Sequence, residues 1–128
     1  VHEAGMGWPW TSIRESNVRE DLQQLTPHPN VVNLKEVVVG QKNDSIFLVF
    51  EFCDMDLGNV MDIMKRDKQY FCEAEIKIII LQVLQGMHYL HRNFIIHRDL
   101  KISNLLITKE GVVKLADFGL SRCYCNSP

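Results

Sequence analysis

The sequence has almost no excess charge of either sign: 14 lysines and arginines stand against 16 aspartates and glutamates, a formal net charge of −2. Without a basic surplus there is no sequence-independent pull on a phosphate backbone, so no nucleic-acid partner is expected. Long apolar runs are missing too. The best, Ile78–Leu81 and Ile46–Phe50, fall far short of the ~18–20 residues that span a bilayer, and no membrane partner is expected. The four cysteines, Cys53, Cys72, Cys123 and Cys125, lack CxxC pairing, and no signal-peptide pattern precedes them. They read as reduced thiols of a cytosolic or nuclear protein. What is present, 46% hydrophobic and 23% charged residues, is the composition of an ordinary globular domain. A length of 128 residues suits one small domain. The chain opens on Val1 rather than methionine and ends on a loop-like CYCNSP, so it reads as a piece of something longer.

The first ten residues carry two glycines and a proline without a steady period, which predicts a loop. Thr11 or Ser12 can cap a helix running from about Ile13 to Leu25, with Ile13, Val18, Leu22 and Leu25 as its apolar stripe. Pro27 and Pro29 end it, since proline lacks the donor and disfavours helical geometry before it. The β-branched and aromatic runs 31–39 and 45–52 flank GQKND and predict a hairpin. A short helix is expected over Gly58–Lys65 and a long one over Glu73–His91. In the long helix Ile76, Ile79, Ile80, Val83, Leu84, Met87 and Leu90 recur at three- and four-residue steps and are expected to form one core-facing stripe. Two short strands, Leu105–Ile107 and Val112–Leu115, follow, joined by a turn at 109–111. His2, His28, His88 and His91 have no metal-ligand neighbours at useful spacing and read as structural. Trp8 and Trp10 read as loop packing.

Two polar clusters border those short strands: His97-Arg98-Asp99-Leu100-Lys101-Ile102-Ser103-Asn104 and Asp117-Phe118-Gly119. Polar groups on loops fixed by hydrophobic strands converge on sites. The Asp117 carboxylate and the Asn104 amide are oxygen ligands that suit a hard cation such as Mg²⁺. Lys101, two residues after Asp99, can neutralise phosphate charge while Asp99 accepts a hydroxyl proton. These are the parts phosphoryl transfer needs, positioning and electrostatics rather than covalent chemistry.

These clusters, HRDxxxxN and DFG, resemble the signatures of eukaryotic protein kinases. A chance HRDxxxxN in a chain this long is on the order of 10⁻³, and a DFG at a set distance multiplies that by ~10⁻⁴. Gly7-Trp8-Pro9-Trp10-Thr11-Ser12-Ile13-Arg14-Glu15 is similar to the GxPxTSLRE stretch of PITSLRE-type cyclin-dependent kinases, the group of the tenth and eleventh members. His28-Pro29-Asn30-Val31-Val32, LKEVVVG, SIFLVFEF and FIIHRDLKISNLL fit the same group, and the resemblance runs from about Gly7 to Arg122. It implies an α+β chain with a partial protein-kinase fold: residues 1–50 the end of the small lobe with a cyclin-binding helix, 51–56 the hinge, 57–128 the start of the large lobe to DFG. It further implies that ATP and Mg²⁺ are bound, that a cyclin is a partner, that a protein Ser/Thr is the substrate, and that the location is nucleus or cytoplasm. Asp99 would be the catalytic aspartate, Lys101 would touch the γ-phosphate, and Asn104 and Asp117 would hold Mg²⁺. The Glu51 carbonyl and Cys53 backbone would meet adenine beneath a Phe50 gatekeeper, with Leu106 as floor, Ala116 beside the nucleotide and Asp56 at the ribose. Cys53 is equally read as a plain buried thiol. His97, Phe118 and Leu34 would stack in the hydrophobic spine, and Arg14, Arg98 and Arg122 would read an activation-loop phosphate.

The departures matter as much. No Gly-rich loop or pairing lysine precedes Gly5, and Ile102 stands where most cyclin-dependent kinases have proline. The glutamate that such a lysine would meet is Glu15 by motif or Glu20 by distance to His28-Pro29-Asn30, with Glu15 favoured. Four residues beyond, the family expects an apolar spine residue, and Arg19 or Gln24 stands there. Two readings follow: an incomplete cyclin-dependent kinase, with this segment alone transferring little or no phosphate, or a non-catalytic competitor that binds a cyclin through GWPWTSIRE.

Overall fold

The computed structural model describes residues 27–39, 46–117 and 122–123. The hairpin is present as β1 (Leu34–Val39) and β2 (Ile46–Phe50), antiparallel, with Leu34 opposite Phe50 and Val39 opposite Ile46. The expected run from residue 31 is split, however. Residues 31–32 leave the hairpin because the backbone around them is claimed elsewhere: Val32 N–H donates to the Leu115 carbonyl at 2.9 Å and Leu115 N–H to the Asn30 carbonyl at 2.9 Å. A bulge between Leu34 and Glu36 marks the change of partner.

Past the hairpin, β3 (Met55–Asp56) leads into α1 (Leu57–Arg66), and α2 (Glu73–Arg92) follows. Asp56 caps α1, its Oδ1 accepting from Asn59 N–H at 2.8 Å, which satisfies an open donor of the first turn. At the start of α2, the Glu75 carboxylate reaches back to Cys72 N–H at 2.8 Å. The remaining strands are short: β4 (Ile95–Ile96), β5 (Leu105–Ile107), β6 (Val113–Leu115) and β7 (Arg122–Cys123). β3, β5 and β6 form an antiparallel sheet in that order, and β4 pairs with β7. Among the described residues no helix is long and apolar enough to cross a membrane.

The core gathers where α2 crosses β6 and β4. Leu90, Ile95, Val113 and Leu115 are essentially sealed from solvent, and such burial is worth roughly 1.5–3 kcal/mol per side chain. Gly86 permits the close crossing, because a Cβ there would stand 2.5 Å from the Asn30 carbonyl oxygen. Asn30 itself is buried, its amide donating to the Val113 carbonyl (2.9 Å) and Gln82 Oε1 (3.0 Å), while Gln82 Oε1 also accepts from Val113 N–H (2.9 Å). His28 stacks on Tyr89 with ring centroids 4.6 Å apart. The turn before the hairpin is thereby stitched to α2 and β6.

The seven-residue stripe on α2 is not one core face. Ile79, Val83 and Leu90 lie on the covered row and Met87 beside it, partly or fully buried, but Ile76, Ile80 and Leu84 remain 46%, 52% and 59% exposed. Periodicity marks an apolar sector wider than the strip that β4, β6 and the 28–32 turn cover. The predicted helix before Pro27 lies outside the described residues.

Candidate active site

β4 delivers the chain to His97, whose ring is fully buried. Its Nε2 lies 2.8 Å from the Ala116 carbonyl and its Nδ1 3.3 Å from Asp99 N–H. A carbonyl can only accept, so Nε2 carries the proton and Nδ1 accepts from Asp99. The imidazole is a brace between the two polar loops, in keeping with the interior place the resemblance implies for it. Arg98, next in line, sits at φ 63°, a left-handed backbone that costs a non-glycine residue about 1–3 kcal/mol. Asp117, also at φ 63°, does the same on the facing loop.

Asp99, Lys101 and Asn104 form one hydrogen-bonded cluster. Lys101 Nζ is 3.1 Å from Asp99 Oδ2. The Asn104 amide donates to the Asp99 main-chain carbonyl at 2.8 Å and to Asp99 Oδ2 at 3.1 Å. The lysine hydrogen bond is the main reason the Asp99 carboxyl is held below the usual range, with smaller help from the Asn104 amide. An ionised, half-buried acceptor results. The short helical turn Ile102–Asn104 sets this geometry, so isoleucine at 102 leaves it in place. Asn104 is buried, and its carbonyl receives Ala116 N–H at 2.9 Å, which places Asp117 directly after the residue opposite it.

This arrangement fits a divalent cation by one specific feature. Both Asn104 amide hydrogens go to Asp99, and its side-chain oxygen, buried, has no partner among the described residues. Such an oxygen, with the Asp117 carboxylate one loop away, is a donor set for Mg²⁺, which takes one or two protein oxygens and completes its shell with water and phosphate. Among the described residues no group of three or more His, Cys, Asp or Glu could hold a metal.

Of the residues that the resemblance assigns to the nucleotide, the three-stranded sheet brings Asp56 and Leu106 together. Asp56 pairs with Leu106 and Leu106 with Lys114, and directly opposed residues share a face. Asp56, Leu106 and Lys114 therefore form one row. Asp56 spends both carboxylate oxygens on Asn59, so its demonstrated role is the cap of α1. In the segment after β2, the Glu51 carbonyl and the Cys53 N–H and carbonyl have no hydrogen-bond partner among the described residues. Burial, then the Glu51 charge, raises the Cys53 thiol, which marks it as an inert half-buried thiol. Phe50 and Leu34 are half-buried against the core, and Ala116 is buried.

Two anchors of this segment were not foreseen. Glu51 Oε1 accepts from Lys114 Nζ at 2.9 Å and from Asn33 N–H at 2.8 Å, and Asp54 Oδ2 accepts from Lys109 N–H at 3.0 Å. The only hint in sequence is a lysine between the apolar residues of a short strand. Glu15, Arg14, Phe118 and the side chain of Arg122 lie outside the described residues; the backbone of Arg122 pairs with Ile96.

The family profile described as protein kinase domain matches residues 8–128. Human cyclin-dependent kinase 10 is 54% identical over 118 residues, which are 92% of this chain and 31% of that protein. Cyclin-dependent kinase G-2 of Oryza sativa subsp. indica is 48% identical over 92% of this chain and 16% of its own length. Cyclin-dependent kinase 11 of Dictyostelium discoideum is 48% identical over 92% and 31% respectively. The chain thus spans about a third or less of the curated relatives it matches. Among solved structures, the crystal structure of the yeast RNA Pol II CTD kinase CTDK-1 complex superposes with a TM-score of 0.71 at 39% identity, covering 95% of this chain and 37% of that one.

Proposed function

The chain belongs to the protein kinase family, and from that we propose that it carries the catalytic loop and adenine platform of a cyclin-dependent serine/threonine kinase, which transfers the ATP γ-phosphate to a protein hydroxyl. The observation that carries this reading is the Asp99–Lys101–Asn104 cluster. Asp99, kept ionised by Lys101 at 3.1 Å and oriented by the Asn104 amide, accepts a hydrogen bond from the substrate hydroxyl and takes its proton as the phosphoryl group transfers. Lys101, more than half exposed along its side chain, is long and mobile enough to turn from Asp99 to a phosphate oxygen. The unpartnered Glu51 and Cys53 backbone groups present two acceptors and one donor to adenine over Leu106. Asn104 and Asp117 would hold Mg²⁺, which when bound would neutralise charge on the phosphates. A cyclin partner, engaged through the segment that includes Arg14 and Glu15, belongs to the same proposal, as does a nuclear or cytoplasmic location.

The test is a peptide phosphorylation assay on the full-length protein with a cyclin, beside its Asp99→Asn variant. The variant is expected to lose roughly 10²–10⁴-fold in turnover while still binding ATP. Undiminished transfer by D99N refutes the assignment.

A further inference from the structure

Resting on the kinase reading above, we propose that Lys114 is a positioning residue for the nucleotide: it fixes the hinge carboxylate of Glu51 and so sets how the adenine-facing backbone sits over Leu106. Three observations carry this. The Lys114–Glu51 pair, 2.9 Å apart, is largely buried, with the two side chains 13% and 22% exposed; the other ion pairs among the described residues are more exposed. Lys114 ends the row Asp56–Leu106–Lys114 on one face of the sheet, so its side chain leaves that face beside Leu106, the residue proposed as the adenine floor, and reaches Glu51. Strand alternation explains the direction: Val113 and Leu115 are buried on the opposite face, leaving position 114 to point toward Glu51.

A buried ion pair adds little net stability, because desolvation offsets most of the attraction; what it does fix is geometry. Here the geometry is that of a short bridge. Glu51 Oε1 is shared between Lys114 Nζ and Asn33 N–H, and Glu51 N–H returns to the Asn33 carbonyl at 2.9 Å. One end of the hinge is thereby pinned to β6, while the other is pinned by Asp54 to the β5–β6 turn. Between the pins lie Phe52 and Cys53, and the Cys53 backbone has no internal partner to hold it. Remove the ammonium, and Glu51 must seek water, drawing its own carbonyl and the following residues off the row.

The experiment uses the full-length protein, its Lys114→Met and Lys114→Arg variants, and the double variant E51Q/K114M, which leaves no buried charge unpaired. ATP binding is followed by displacement of a fluorescent nucleotide, and the steady-state KM for ATP and kcat are measured with a peptide substrate. Expected are a rise of about tenfold in Kd and KM for ATP in K114M and in the double variant, the loss of one well-placed contact, with kcat changed far less and K114R restoring most of the affinity. An unchanged KM in either methionine variant overturns the inference, as does an equal fall in kcat without a KM effect. If the parent itself binds no ATP, it is the kinase reading that fails; if the parent binds and the variants bind equally well, only the role of Lys114 falls.

Discussion

Replacing Gly86 by alanine pits helix propensity against packing at a single atom. Alanine is the better helix former by about 1 kcal/mol, and on an open helix face G86A would stabilise the protein. Gly86 is buried, however, and the added Cβ would meet the Asn30 carbonyl oxygen at 2.5 Å and Leu115 Cδ1 at 3.0 Å. That oxygen cannot retreat freely, since it accepts the Leu115 N–H at 2.9 Å, and Leu115 is fully buried. Overpacking of this kind costs ~1–3 kcal/mol, and loosening the Asn30–Leu115 hydrogen bond adds ~0.5–1.5 kcal/mol. Packing wins, for a net loss of about 0.5–3.5 kcal/mol after the propensity gain is subtracted. Urea unfolding followed by circular dichroism reads it as a lower midpoint at unchanged slope. Gln85→Ala, one residue away and exposed, is the control and should be near neutral. A G86A midpoint equal to or above the parent's would show that α2 does not press on the 30–32 segment as described.

Two further outcomes follow from the site's electrostatics. Because Lys101 is the largest influence holding the Asp99 carboxyl low, Lys101→Met should let it rise toward the ordinary carboxylate value of ~3.9. The protonated fraction then grows on the acid side, so the acid limb of kcat/KM against pH should move to higher pH; a limb that stays put, or moves down, contradicts the geometry. For the thiols, burial and the Glu51 charge raise Cys53, whereas Cys72 is exposed. Iodoacetamide near neutral pH should label Cys72 faster by on the order of tenfold, as read by a peptide mass-spectrometry time course, and preferential labelling of Cys53 would count against the described hinge.

Local chemistry made much of the architecture legible. Helix α2 runs Glu73–Arg92 where periodicity gave Glu73–His91, and the β-branched runs did pair as a hairpin. The adjacency of Asp99, Lys101 and Asn104 was readable because all three sit within six positions of one loop. What escaped depended on distant partners. Nothing at Asn30 or Val32 announces that Leu115 takes their backbone, and nothing in the α2 pattern says that the row of Ile76, Ile80 and Leu84 stays uncovered while that of Ile79, Val83 and Leu90 does not. Asp56, expected at the ribose, turned out to have a local use in starting α1. The Lys114–Glu51 pair joins residues 63 positions apart, beyond the reach of any window-based reading.

The stitched turn at residues 28–32 decides how the hairpin can swing. Two strands of chain carry it, one entering at Asn33 and one leaving at Glu51, and these two residues are tied to each other through N–H, carbonyl and carboxylate. Residues 28–32 travel with β6 and α2. Among the described residues, any opening or closing of β1 and β2 therefore turns like a door about its pin, with the axle at 33 and 51 and the backbone of residues 52–53 beside it.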